Sequence, residues 1–340
     1  MPITSSINSL HCLMTNLSNP CFLVADIGGT NARFALADQS RQLHSLQVLP
    51  CEAYASMDSA IRHYLSQVGT PLIQDAVIAI ATPILGDQVK MTNHHWAFSI
   101  EATRQLLGFR TLLVVNDFAA LAMSLPFLGK EGIVRLDQNG IIREGVKAVI
   151  GPGTGLGIAG LIPQPYGWNP LPTEGGHVDF APNDELEIEI LRLLWRDYPH
   201  VSPERLVSGP GIVSLYRALR TIAGLSASTA TPAEVVERAV SGSCATAAQT
   251  LKVFSGMLGS VAGNAALMMN SVGGVYIGGG VISKLGASFD PLAFRNRFVA
   301  KGRFEKYLEA IPNYLIVSEY PAFIGAVELL SQFLAVSSRN

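Results

Sequence analysis

Residues 21–37 read CFLVADIGGTNARFALA. An apolar run leads into Asp26-Ile27-Gly28-Gly29-Thr30, and extended character resumes from Arg33 to Ala37. The same order returns at residues 147–162, KAVIGPGTGLGIAGLI, where the apolar run ends in Gly151-Pro152-Gly153-Thr154-Gly155-Leu156-Gly157. Each stretch predicts a strand, a glycine-rich turn and a second strand. This duplication predicts two similar half-molecules facing each other across a cleft.

Around these stretches, apolar runs predict further strands at residues 76–81, 111–115, 275–277 and 314–317. Helical spacing covers residues 56–67, 100–107, 118–125, 185–195, 211–222, 232–240, 245–269 and 325–334. Alternating strands and helices are the mark of an α/β protein. The 340 residues set a prior of roughly two domains of about 150 residues each. The chain is 49% hydrophobic and only 15% charged, which excludes a disordered protein. Its 24 Lys+Arg against 26 Asp+Glu form no basic block, so no nucleic-acid partner is expected.

Cys12, Cys21, Cys51 and Cys244 form no C-x-x-C pair, which argues against a zinc module or a disulfide framework and fits a reducing cytoplasm. No Lys or Arg precedes Arg33 and residues 1–20 hold no sustained apolar run, so no signal peptide is expected. The stretch from Val253 to Ser283 carries no charge, and Gly259-x-x-x-Gly263 imitates a transmembrane packing motif. Breaks at Ser271 to Gly274 and at Gly278 to Gly280 favour a buried helix followed by a buried strand, with no membrane span.

The glycine turns carry the first chemistry. Backbone without Cβ atoms can direct N–H groups onto a phosphate, and Thr30 or Thr154 can add a hydroxyl. No G-x-x-x-x-G-K-[ST] motif is present. Residues 155–160 match G-x-G-x-x-G, but Pro163 arrives before the helix that a dinucleotide fold needs. The two turns are expected to clamp a nucleotide triphosphate, with Asp26 near Mg²⁺ through water. Asn116-Asp117 closes a strand and opens a helix, where the pair can serve as a cap. Beside a phosphate-gripping turn, Asp117 can instead accept the proton of an attacking hydroxyl. Glu174-Gly175-Gly176-His177 can point a carboxylate and an imidazole into one pocket and suits a polyhydroxylated ligand, although His177 alone could be structural. Glu204, judged locally, is a first-turn helix acid. His94 and His95 are read as structural, because neighbours on an extended chain point in opposite directions.

The run from Ala25 to Arg33 resembles the first phosphate loop of bacterial glucokinases, members of the actin, Hsp70 and hexokinase superfamily. Met91-Thr92-Asn93-His94, Asn116-Asp117-Phe118, Gly153 to Gly157, Glu174 to Phe180, Ser208-Gly209-Pro210-Gly211 and the segments from Lys301 to Pro312 resemble family segments in the same order. The resemblance covers roughly residues 21 to 335. It implies a two-domain, ribonuclease H-like α/β fold with its active site in the interdomain cleft. The expected parts are an arm at residues 1–20, a small domain of 21–127 with 318–340, and a large domain of 128–317.

The resemblance further implies ATP-dependent phosphorylation of glucose at the 6-hydroxyl. Asp117 would be the base, and Asn116, Glu174, His177 and Glu204 would hold the other hydroxyls. Asp26, Gly28, Gly29, Thr30, Gly153, Thr154 and Gly155 would handle Mg²⁺ and the ATP phosphates, with Gly279 and Gly280 beside the adenosine. It implies a cytoplasmic enzyme and allows a homodimer. The chain lacks the clustered cysteines of the related zinc-containing kinases and repressors, which places it with the metal-free bacterial glucokinases. Kinases for mannose or an amino sugar, a sugar sensor without turnover, and an actin-like or chaperone ATPase are the competing readings. A sensor acting as a repressor would need a helix-turn-helix module, which residues 1–20 cannot supply. An actin-like or chaperone ATPase would not need Glu174 and His177.

Overall fold

The computed structural model describes residues 22–69 and 72–337. The expected arm at residues 1–20 lies outside them. The chain divides into two compact units, passing from the first to the second at Asp117–Phe118 and returning at Gly325–Ala326. The sequence places these boundaries after residues 127 and 317. The helix that begins at Asp117 instead belongs to the second unit from Phe118 onward, because the Phe118 ring lies where a Cβ on Gly151 or Gly157 would stand.

The first unit is built on β1 (Phe22–Ile27), β2 (Asn31–Ala37), β3 (Leu43–Pro50), α1 (Met57–Gln67) and β4 (Asp75–Ile80). The hairpin of β5 (Gln88–Lys90) and β6 (Ala97–Ser99), then α2 (Ile100–Leu107) and β7 (Thr111–Asn116), follow. Its main sheet has the order β3-β2-β1-β4-β7, with β3, β2 and β1 antiparallel and β1, β4 and β7 parallel. Every residue of β4 is buried, as a strand in a parallel arrangement requires. Leu23, Ile27, Phe34, Ile61, Tyr64 and Ile78 join one core, in which Phe34 stacks on Tyr64 with ring centres 5.3 Å apart. Ser56 starts α1 with a capping box, its side chain accepting from the Ser59 N–H.

The second unit contains α3 (Asp117–Ser124), β8 (Ile133–Arg135), β9 (Lys147–Pro152), β10 (Leu156–Gln164) and β11 (Gly167–Thr173). Helices α4 (Glu185–Leu194), α5 (Gly209–Ile222), α6 (Pro232–Val240) and α7 (Ala245–Met269) follow. The remainder is β12 (Val275–Ile277), α8 (Gly280–Leu285), α9 (Pro291–Val299), α10 (Glu305–Glu309), β13 (Asn313–Ile316) and α11 (Pro321–Ser337), the last of which continues into the first unit. Its sheet order is β11-β10-β9-β12-β13-β8. Strands β11, β10 and β9 are antiparallel, and β12 and β13 continue parallel to β9. This repeats the three antiparallel and two parallel strands of the first sheet and adds β8, so the duplication read at residues 21–37 and 147–162 extends to the sheets themselves.

Among the described residues one helix, α7, is long and apolar enough to cross a membrane, yet 72% of its apolar window is buried inside the protein. Its glycines explain the membrane-like pattern. A Cβ on Gly259 would collide with the Phe294 backbone, and one on Gly263 would press on the Phe298 carbonyl. The small-residue stripe therefore brings α7 against α9 within the core. Gly259→Ala is expected to destabilise the protein by about 1–3 kcal/mol through overpacking, despite the better helix propensity of Ala. A thermal melt that shows no loss for this variant would mean that the two helices can separate freely.

Candidate functional site

In the first unit, three parallel strands end side by side. The register pairs Ile27 with Ile80 and Ile80 with Asn116, so the carboxyl ends of β1, β4 and β7 form one edge. Open α/β sheets bind ligands at that edge, where loops leave the strands. The turn after β1 is closed by the Gly28 N–H donating to the Asn31 carbonyl at 3.0 Å. A Cβ on Gly29 would come within 3.1 Å of Asn93, so this glycine admits a close approach of the segment before β6. The Thr30 carbonyl accepts the Cys51 N–H at 2.8 Å, which anchors the turn to the end of β3.

Asp26 sits at the end of β1 with its Oδ2 3.1 Å from Arg33 on β2, its antiparallel partner. Burial pushes the Asp26 carboxyl above its ordinary value, while the Arg33 charge pulls it back. Nothing in the local sequence gives Arg33 a role; its pairing with Asp26 in the fold does. A single carboxylate fits a magnesium ion that keeps several waters and is seldom caged by protein alone, while Arg33 on the same carboxylate competes with the ion for it. Among the described residues no group of three or more His, Cys, Asp or Glu is arranged to hold a metal.

Asn116 and Asp117 lie at the junction of β7 and α3 and are half-buried. Asn116 Nδ2 donates to Asp117 Oδ1 at 3.1 Å and to the Thr82 carbonyl at 3.4 Å. The amide thus bridges the carboxylate and the loop that leaves β4. Buried Thr82, which the sequence reading did not single out, also donates to the Lys90 carbonyl at 3.1 Å and meets the Thr92 hydroxyl at 3.1 Å. The nearby His94 and His95 do not point in opposite directions as expected. The chain bends from Thr92 to His95, and the two rings lie tilted against each other with centres 4.2 Å apart, the first set edge-on against Trp96.

The second unit gathers another set. A strand, β10, follows the turn after β9, where a dinucleotide fold would place a helix. This turn is tight, with the Gly153 N–H donating to the Gly155 carbonyl at 2.8 Å. The Gly153 carbonyl accepts the Gly209 N–H at the start of α5, also at 2.8 Å. Gly279 adopts φ +88°, and a Cβ there would meet the Pro152 carbonyl, so the turn after β12 packs on the end of β9. Gly280 opens α8 beside it.

Glu174, His177 and Glu204 converge next to this turn. His177 Nε2 is 3.9 Å from Glu174 Oε2 and 3.7 Å from Glu204 Oε2. Both separations exceed a direct hydrogen bond. Glu204 Oε2 also accepts the Leu156 N–H at 2.9 Å. A Cβ on Gly176 would collide with the Leu156 carbonyl, so the 3₁₀ turn at Gly175–His177 rests directly on β10. His200, which the sequence reading passed over, holds the His177 carbonyl at 2.9 Å and faces Asp179 at 3.3 Å. Asp179 belongs to the quoted segment around His177, but only the folded chain brings His200 to it.

The two sets pair a glycine turn with carboxylates in each unit, an arrangement suited to phosphate and to vicinal hydroxyls. A family model described as Glucokinase matches residues 23–333. A bifunctional protein glk of Burkholderia thailandensis is 50% identical over 315 residues, covering 92% of this chain and 49% of that relative. The chain therefore spans about half the length of such bifunctional relatives. A glucokinase of Neisseria meningitidis serogroup C is 46% identical over 312 residues, covering 92% of this chain and 95% of the relative. A crystal structure of glucokinase from an Antarctic psychrotroph superposes with a TM-score of 0.82 at 36% identity, covering 92% of this chain and 99% of that one. The chain belongs to the glucokinase family.

Proposed function

We propose that the protein transfers the γ-phosphoryl group of ATP to the 6-hydroxyl of D-glucose, giving glucose 6-phosphate and ADP in the cytoplasm. The observation that carries this reading is the convergence of Glu174, His177 and Glu204 beside the Gly153–Gly155 turn, with Glu204 bonded to that turn's Leu156 N–H at 2.9 Å. Carboxylates accept hydrogen bonds from vicinal sugar hydroxyls, and a glycine turn offers N–H groups to phosphate. Membership in the glucokinase family supports the same pairing.

In this reading Asp117 accepts the proton of the attacking hydroxyl, and Asn116 orients its carboxylate through the 3.1 Å bond to Oδ1. Asn116, Glu174, His177 and Glu204 hold the remaining hydroxyls. The backbone of Gly28, Gly29 and Thr30 and that of Gly153, Thr154 and Gly155 grip the phosphates, while Gly279 and Gly280 give the adenosine a flat bed. Asp26 holds Mg²⁺ through water. The ion, bound with ATP, supplies charge neutralisation on the phosphates.

Chelation tests the division of labour. With EDTA in excess, turnover in a coupled glucose 6-phosphate assay is expected to fall to background, while calorimetric titration still detects glucose binding. Undiminished turnover in EDTA would remove the metal from the reading. Loss of glucose binding in EDTA would place the ion among the sugar's partners.

A further inference from the structure

We infer that Gly155, although part of a phosphate-binding turn, is a positioning residue for the sugar and acts through Glu204. This rests on the reading of Glu204 as a sugar-binding carboxylate. Two glycines flank Thr154, and neither adopts a positive φ, so backbone conformation does not demand glycine at either place. Their surroundings differ. A Cβ on Gly153 would meet nothing within 4 Å, whereas one on Gly155 would run into Glu204 Oε2. That oxygen is the one that accepts the Leu156 N–H at 2.9 Å and lies 3.7 Å from His177 Nε2.

Glu204 has little freedom to yield by moving its backbone. It sits in the 3₁₀ turn Pro203–Arg205, and its carbonyl accepts the Ser208 hydroxyl at 2.7 Å. Ser208 is fixed in turn, because its side chain caps α5 by accepting the Gly211 N–H at 3.0 Å. A methyl group at position 155 therefore forces the carboxylate to rotate away, which gives up both the Leu156 N–H and the neighbourhood of His177. The missing side chain at Gly155 keeps a hydroxyl-binding carboxylate in register with the phosphate turn.

Steady-state kinetics of G155A, G153A, E204A and the double variant G155A/E204A test the inference. G155A is expected to raise the glucose KM by about tenfold or more, the effect of losing a charged hydrogen bond. Its ATP KM should stay within about twofold of wild type, and the double variant should match E204A within about twofold, because the two changes remove one interaction. G153A, with no carboxylate to displace, should act on the ATP KM in preference to the glucose KM. A G155A variant that raises the ATP KM instead, or effects of G155A and E204A that multiply, would overturn the inference. If G155A fails to fold in a thermal melt, G155A/E204A must still fold as E204A does; failure of both overturns it as well. A wild-type chain that turns over no glucose removes the reading of Glu204 and the inference together, whereas an active wild type with the wrong KM pattern removes the inference alone.

Discussion

Replacing Asp117 with Asn should lower kcat for glucose phosphorylation by about 10²–10⁴-fold, the usual worth of a positioned general base. The substitution keeps the shape of the side chain and its capacity to hydrogen-bond, so the glucose KM should change by no more than about threefold. The local structure supports a clean experiment. Position 117 is the first residue of α3, and Asn has the same size as Asp there. The Asn116 amide now donates to Asp117 Oδ1, and the carbonyl oxygen of an Asn can accept the same bond. A fall in kcat with sugar binding intact would therefore report the missing proton acceptor. A near-normal kcat would show that Asp117 only orients its surroundings.

His177→Ala should raise the glucose KM by about ten- to a hundredfold, because a polar side chain placed between two carboxylates is lost. The ATP KM should remain within about twofold of wild type, since a change limited to one substrate's contacts acts on that substrate's binding. The geometry leads to this split. His177 Nε2 stands 3.9 Å from Glu174 and 3.7 Å from Glu204, and its own carbonyl is held by His200 at 2.9 Å. Removing the imidazole takes one polar group out of the cluster that would hold the sugar hydroxyls. If the ATP KM rises and the glucose KM does not, His177 serves the nucleotide.

Much of this arrangement is legible in the chain, for identifiable reasons. The hairpins β1–β2 and β9–β10 declare themselves because each joins apolar runs through glycines, and a strand pair buried on both faces needs no polar alternation. Helices α6 and α7 and strand β12 begin and end where spacing and punctuation place them. The edge strands β3 and β11 stay hidden. No residue of β3, LHSLQVLP, is fully buried, so its pattern carries no apolar face. Strand β11 contains Pro170 and Pro172, which argue against a strand and are tolerated at a sheet edge, where β11 lies. Helix α9 interleaves Arg295 and Arg297 with buried Phe294 and Phe298, which blurs its apolar stripe.

The candidate site divides in the same way. Glycine turns and the Asn116-Asp117 and Glu174-to-His177 segments carry their chemistry in local order. Glu204 does not, because its partner Leu156 is far away in the chain and only the resemblance to a family suggested it. Arg33 beside Asp26, Thr82 beneath Asn116 and His200 behind His177 depend equally on contacts made by folding. The adjoining rings of His94 and His95 show the opposite failure, a correct rule for extended chains applied to a segment that bends.

Steady-state turnover of a hexose panel with Mg-ATP, each product identified by mass and by enzymatic assay, tests whether this chain is a glucose kinase. Selective conversion of glucose to glucose 6-phosphate with stoichiometric ADP is expected. Faster turnover of mannose or an amino sugar would contradict the substrate, and no turnover of any hexose alongside measurable glucose binding would contradict the kinase.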